Sequence, residues 1–379
     1  MKISSFEVIR VALPFDAGRV PTANLPMQDA YNAASRELRK METLLVKLTD
    51  ADGRTGWGEA FGHLINPVTF AALAGPVGHW FESAEFEPTP AGIKALREAA
   101  DRALHAFGRT GPVLYALSAI DTALWDLAAQ AAGEPLYRWM GGRRDTIDVY
   151  ASLVSYDNAP DEVARQVQRA HRAGFKRLKL HETEYAAIAA ARQALPPDVT
   201  LMVDVNCPWI ATEAVKRVAA LADLGLGWIE EPVWPPDDLD GLARVRRTGV
   251  PVAAGENASG VAGFRQAFAS GALDICQPSV AKIGGLTGMR EVIALADEYG
   301  VAVMPHCFYY GPGLLATAHV VATLPETAAL EVPWLQWPNA LHPYQHVAPR
   351  MVMPAVAGLG FQPDLEILRK FTIDSALIM

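Results

Sequence analysis

From about residue 147 onward, short apolar runs alternate with segments of helical periodicity. Strand-like runs fall at 147–154, 175–181, 199–205, 226–231, 251–255, 273–277, 301–305 and 328–332, and four of the intervening segments, 161–173, 212–224, 286–298 and 313–324, repeat apolar positions at helical spacing. Glycines mark the turns: Gly174, Gly225, Gly249, Gly271 and Gly300 each stand shortly before a strand, where a helix C-cap belongs. Eight strands alternating with helices predict a parallel barrel. The competing doubly wound sheet is weakened because no GxGxxG or P-loop follows the first strand.

The segment before residue 130 follows another pattern. Residues 1–15 and 42–61 alternate like antiparallel strands, with Asp52-Gly53 as a turn signal, and two helices are predicted over about 91–108 and 112–131. After Glu331 no final barrel helix is expected, because Pro333, Pro338, Pro343, Pro349 and Pro354 break the stretch. The tail at 356–371 reads as a short strand followed by a helix start. The expected architecture is an α/β protein: a modified (β/α)7β TIM barrel over 131–345, an α+β capping domain over 1–130, and a tail over 346–379 that returns to the cap.

Composition narrows the function. At 379 residues, 51% hydrophobic and 20% charged, the chain suits a globular fold with a large core. A net charge of −9 argues against nucleic acid as a partner. No apolar stretch is long enough to cross a bilayer, and the N-terminus alternates like a strand with no signal-peptide core, so a cytoplasmic protein is expected. Three cysteines far apart imply no disulfide framework. Asn257-Ala258-Ser259 forms a sequon that has no meaning without secretion.

The chemistry lies at the strand ends, where parallel barrels carry their active sites. Asp204, Glu230 and Glu256 each close an apolar run, and each is 26 residues from the next. That period suits one strand, one loop and one helix, so the three carboxylates converge. Converging carboxylates repel unless a cation sits between them, and hard oxygen donors suit Mg2+. The other strand ends carry Lys179 and His181, Asn206, Ser279 and Lys282, His306, and Glu331.

Taken with Gly56-Trp57-Gly58-Glu59, the helix Ala116–Asp126, Gly141-Gly142, Glu230-Glu231-Pro232, Gly255-Glu256-Asn257 and Lys282-Ile283-Gly284-Gly285, these residues make the whole chain resemble the enolase superfamily. The likeness is greatest to its mandelate racemase and muconate lactonizing group. The resemblance implies Mg2+ held by Asp204, Glu230 and Glu256, a small-molecule carboxylate substrate, abstraction of the proton α to that carboxylate, and a homo-oligomer. The pairing of a Lys or His base with Mg2+ belongs to the family and is not read from this chain.

Within that resemblance Lys179 matches the first lysine of a Lys-x-Lys motif, and His181 replaces the second. His306 matches the strand-seven histidine base. Ser279 stands where the racemase-like group has an aspartate that orients this histidine. Glu331 matches the acid that hydrogen-bonds the substrate carboxylate, a role that needs it protonated. Asn206, Ser279 and Lys282 are expected near the substrate. Phe308, Tyr309, Tyr310, Trp334 and Trp337 are candidate pocket walls, and the loop between Pro14 and Arg36 and the stretch around His63 are expected to close over the substrate.

A serine cannot stabilise imidazolium as a carboxylate does. His306 is therefore expected to act mainly as a general acid, or as a base only if another carboxylate supports it, with Lys179 or His181 making the first abstraction from the opposite face. The leading outcome is dehydration of a hydroxy or sugar acid to a 2-keto acid. Racemisation or epimerisation, with His181 and His306 as opposed bases, is the alternative. A non-catalytic barrel that binds carboxylates through its metal is a rival from another class.

Overall fold

In the computed structural model, which describes residues 1–19, 39–345 and 348–379, the N-terminal alternation becomes an antiparallel meander. Its strands are β1 (Ile3–Pro14), β2 (Lys40–Asp50) and β3 (Thr55–Ala60). The turn between β2 and β3 is built by Asp50, whose Oδ1 accepts the backbone N–H groups of Asp52 and Arg54 at 3.0 and 2.8 Å, and by Gly53 at φ +84°. The loop expected to cover the site lies largely at 20–38, outside the described residues.

Strand periodicity explains the Gly56-Trp57-Gly58-Glu59 motif. Alternate side chains face opposite sides of a sheet. Gly56 and Gly58 face the helix Gly111–Ala132, and an added Cβ would stand 2.3 Å from the Ala123 carbonyl oxygen and 1.8 Å from that of Ala119. Only glycine lets strand and helix approach so closely. Trp57 and Glu59 point the other way: Trp57 meets Phe361 edge-on, and Glu59 accepts the N–H of Gly313 at 2.8 Å. Cap, tail and barrel therefore meet at this strand. The helix it packs on is buried along most of its length, as an apolar surface on all sides requires.

All eight expected barrel strands are present: β4 (Thr146–Ser152), β5 (Arg177–Leu180), β6 (Thr200–Asp204), β7 (Ile229–Glu230), β8 (Val252–Ala254), β9 (Ile275–Cys276), β10 (Ala302–Val303) and β11 (Leu330–Pro333). They are parallel. β11 pairs with β4, and the ladder then runs in sequence order from β4 to β10. A helix covers each crossover from the one after β4 (Pro160–Arg172) to the one after β10 (Pro312–Val321). After β11, among the described residues, the chain makes a loop and the short β12 (Arg350–Val352), which pairs antiparallel with β4, in place of an eighth helix.

The tail corrects one expectation. A helix (Leu365–Phe371) comes first, capped by Asp364 through the N–H groups of Glu366 and Ile367, and the strand β13 (Thr372–Leu377) follows it. β13 lies antiparallel to β1 and becomes the edge of the cap sheet, giving the order β13-β1-β2-β3. Its sequence alternates weakly, and pairing with β1 is what makes it a strand.

Candidate active site

Lys179 occupies the centre of the barrel mouth. Strand alternation turns it inward between the outward Leu178 and Leu180, and leaves His181 on the same side just past the strand end. The Lys179 ammonium lies 2.7 Å from Glu230 Oε1, 2.8 Å from Glu331 Oε1 and 3.4 Å from Asp204 Oδ2, with essentially no exposure. Burial by itself favours the neutral amine, but Glu230, Glu331 and Asp204 outweigh it and hold Lys179 well above its ordinary range.

The acids divide among themselves. Burial would raise Asp204, yet Lys179 and His181 bring it below its ordinary value. Glu230 goes well above its own, from burial and from the charges of Asp204 and Glu331, although Lys179 opposes this. Glu230 Oε2 also takes the indole N–H of Trp228, which belongs to the plug of side chains inside the barrel, at 2.9 Å. Glu331 corrects the expectation of a protonated acid. Burial raises it, but Lys179 and His306 win, so it lies below its usual range and accepts the Cys307 N–H at 2.8 Å.

Two of the imidazoles that line the cavity, His181 and His306, are held differently. His181 Nδ1 bonds the Leu153 carbonyl, so this nitrogen carries the proton and donates it. In the neutral ring Nε2 then keeps its lone pair, 3.3 Å from Asp204 Oδ2. His306 points Nε2 at Glu256 Oε2, 2.8 Å away, and its buried Nδ1 has no hydrogen-bond partner among the described residues. Ser279 does not orient it: the serine hydroxyl bonds Tyr309 OH, and the two residues meet only as a backbone bridge between neighbouring strand ends. With its hydroxyl turned to Tyr309, Ser279 leaves Glu256 as the carboxylate in contact with this histidine.

Asn206 sits at φ 52° directly after β6 and gives both its backbone N–H and its amide to Asp204 Oδ1, each at 2.9 Å. It fixes the acid as well as making the turn. A cavity of about 340 Å³ opens above these groups, with His181, Asp204, Asn206, Glu256, Lys282 and His306 among its walls. Lys179, Glu331 and Ser279 lie beneath its surface.

Of the candidate aromatic walls, Phe308 faces this cavity. Tyr309, Tyr310, Trp334 and Trp337 line a separate one beside β11. Tyr115 and Trp234 also line the site cavity and had no signal of their own. Tyr115 is one apolar-face residue of a helix, and Trp234 follows the Glu230-Glu231-Pro232 motif without any periodic cue.

Three carboxylates at neighbouring strand ends form a donor set of oxygens alone. Asp204 and Glu230 stand opposite each other in register, and Asp204 and Glu256 feel each other's charge. Among the described residues, however, no three acidic, histidine or cysteine side chains close on one point. Each acid is turned instead toward an internal basic side chain: Glu230 to Lys179, Asp204 to Lys179 and His181, Glu256 to His306. Glu230 stays raised, chiefly by burial, even with Lys179 beside it. A divalent cation held by oxygen donors fits this pocket by its chemistry.

Comparison with known proteins agrees with this geometry. Residues 162–367 match the enolase C-terminal domain-like family, and residues 19–141 match the mandelate racemase/muconate lactonizing enzyme N-terminal domain. The chain is 31% identical to D-galactarolactone cycloisomerase of Agrobacterium fabrum, covering 88% of this chain and 90% of that protein. It is 32% identical to 3,6-anhydro-alpha-L-galactonate cycloisomerase of Streptomyces coelicolor, covering 83% and 86%. Other relatives include L-Ala-D/L-Glu epimerase of Bacillus subtilis and D-galactonate dehydratase of Variovorax paradoxus. Among solved structures, a Streptomyces coelicolor racemase with bound magnesium superposes with a TM-score of 0.83 at 27% identity, covering 98% of this chain and all of that one.

Proposed function

The chain belongs to the mandelate racemase/muconate lactonizing enzyme family, and from that premise we propose that it removes the proton α to the carboxylate of a sugar acid and expels the β-oxygen substituent. Relatives named for cycloisomerisation, dehydration and epimerisation support a lyase or isomerase of this kind. Mg2+ is the cofactor in this reading, supported by the magnesium-bound racemase and by the oxygen-only donors Asp204, Glu230 and Glu256. When bound, the ion supplies positive charge that offsets the negative charge building on the substrate carboxylate as the proton leaves.

The observation that carries elimination over epimerisation is the unequal setting of the two imidazoles. His181 has its proton fixed on Nδ1 by the Leu153 carbonyl, so Nε2 is ready to accept one: it is the base. His306, with Nε2 2.8 Å from Glu256 Oε2 and no partner fixing Nδ1 among the described residues, is the acid in this reading. His181 takes the α-proton, the Cα–H electrons form the Cα–Cβ double bond, and the Cβ–O bond breaks. His306 protonates the departing oxygen. When the oxygen leaves as water, the resulting enol becomes a 2-keto acid. When it is a ring oxygen, the product is an opened isomer. Lys179, tied to three acids, serves as a fixed charge rather than as a base. Epimerisation would need each imidazole to serve as base in one direction and acid in the other, whereas the two are held differently here.

Proton exchange in D2O, followed by NMR, tests the assignment. His181→Asn is expected to abolish α-proton exchange. His306→Asn is expected to lower product formation about 10²- to 10⁴-fold, the usual worth of a general acid, while exchange continues. If His306→Asn stops exchange and His181→Asn does not, the roles are reversed. Deuterium at the α-carbon of a stereoisomer, with no keto acid or ring-opened product, would establish the epimerase reading.

A further inference from the structure

Two ammonium groups stand at the site, one beneath the cavity and one in its wall, and they are compensated differently. Lys179, at the barrel end, has three carboxylate partners. Lys282, toward the cap, has no carboxylate oxygen within 4.0 Å among the described residues. Its ammonium rests on Asn257 Oδ1 at 3.2 Å and lies 4.2 Å from the centre of the Phe61 ring. Lys282 is only 8% exposed. An amide oxygen and a ring face compensate a buried ammonium poorly. Glu256 feels its charge, but both oxygens of that acid are engaged, one by His306 and the other by the Asn257 amide.

A second group at this end also lacks a partner. His63 is carried in from the cap at φ 38°, a backbone setting unusual for a non-glycine residue. It lines the cavity, and its buried Nδ1 makes no hydrogen bond among the described residues. Burial, with His306 and Lys282 nearby, brings its pKa down to about 4, so the ring is neutral and can donate or accept. The Tyr115 hydroxyl group belongs to the same wall. An under-compensated ammonium and an orphaned imidazole nitrogen thus line the cavity on its cap side, where Phe61 also lies.

Building on the α-proton reading above, we propose that Lys282, with His63 and Tyr115, forms a second anion subsite that binds the distal carboxylate of the substrate. The substrate is then an open-chain hydroxylated dicarboxylic acid of the aldaric type. A monocarboxylic aldonic acid would place a neutral hydroxyl at that end and leave the ammonium uncompensated. A carboxylate accepts from the ammonium, the imidazole and the phenol together, and such charge-assisted bonds are the strong ones.

Matched pairs of acids differing only at the far end supply the test: galactarate against galactonate, and glucarate against gluconate. They are compared with the Mg2+-loaded protein by kcat/KM where turnover occurs and by calorimetric Kd where it does not. The dicarboxylate of at least one pair is expected to be preferred by roughly 10- to 100-fold, the worth of one charge-assisted hydrogen bond. Lys282→Met should bring that ratio to about threefold or less, and Lys282→Arg should keep most of it. His63→Phe, a second variant that leaves Lys282 in place, should lower the ratio several-fold. Equal preference within both pairs in the wild type, or a ratio that survives Lys282→Met, overturns the subsite. The α-proton reading fails separately: a protein that shows the preference but exchanges no α-proton in D2O keeps the anion subsite and loses the chemistry.

Discussion

Replacing Glu59 by glutamine changes a single buried charge at the joint between cap and barrel. Glu59 is 3% exposed, accepts the Gly313 N–H, and is also bonded by the Thr43 hydroxyl. Gly313 opens the helix that follows the strand end carrying His306, so the bond ties the cap to the catalytic side of the barrel. Burial raises the carboxyl from 4.5 to about 7, with Thr43 and Gly313 opposing. Because the folded value lies above the unfolded one, the folded protein binds more protons between pH 4.5 and 7. Stability from this group is fully present below pH 4.5 and is lost as pH rises through 7.

At 1.36 kcal/mol per unit, the full effect is about 3 kcal/mol, of which most falls between pH 5 and 8. With an unfolding entropy of about 2.1 cal/mol/K per residue, this corresponds to roughly 3 °C in Tm for a chain of this size. Glu59→Gln keeps an acceptor for Gly313 and a polar partner for Thr43 but cannot ionise. The variant should match the wild type near pH 5 and gain about 3 °C on it by pH 8. The measurement is thermal unfolding by circular dichroism on both proteins, freed of metal with EDTA, at steps from pH 5 to 8. Asp121, Asp126 and Glu182, also raised by burial, titrate alike in both proteins and cancel. Parallel Tm curves, or a variant that falls behind as pH rises, would refute the reasoning.

Glu230→Gln and Glu256→Gln should each weaken Mg2+ binding by about 100-fold or more in titration calorimetry while far-UV dichroism stays native, since each removes a charged oxygen donor. Wild-type affinity in either variant would remove that residue from the ion's donors. The chain should sediment as a multiple of its 40.9 kDa mass, as the family resemblance implies; a monomer alone across micromolar concentrations contradicts this.

Periodicity in the chain predicted all eight barrel strands, because parallel strands and their covering helices are local patterns with a glycine before five of the strands, and the prolines after Glu331 predicted the missing eighth helix. The equal spacing of Asp204, Glu230 and Glu256 placed three acids at neighbouring strand ends for the same reason. The order of helix and strand in the tail was not legible, since β13 is made a strand by β1, which lies more than 350 residues earlier. Nor were the charge states. Glu331 looks like a protonated acid until Lys179 is seen 2.8 Å away, and Ser279 looks like a partner for His306 until Tyr309 takes its hydroxyl. The proton on His181 is set by the carbonyl of Leu153, 28 residues away in the chain. Such features depend on distances between strands, and a sequence carries no distances. Residue types decided which chemistry the site could perform; the fold decided which imidazole keeps a free lone pair and which ammonium lacks a carboxylate, because burial and neighbouring charge exist only once the chain has closed.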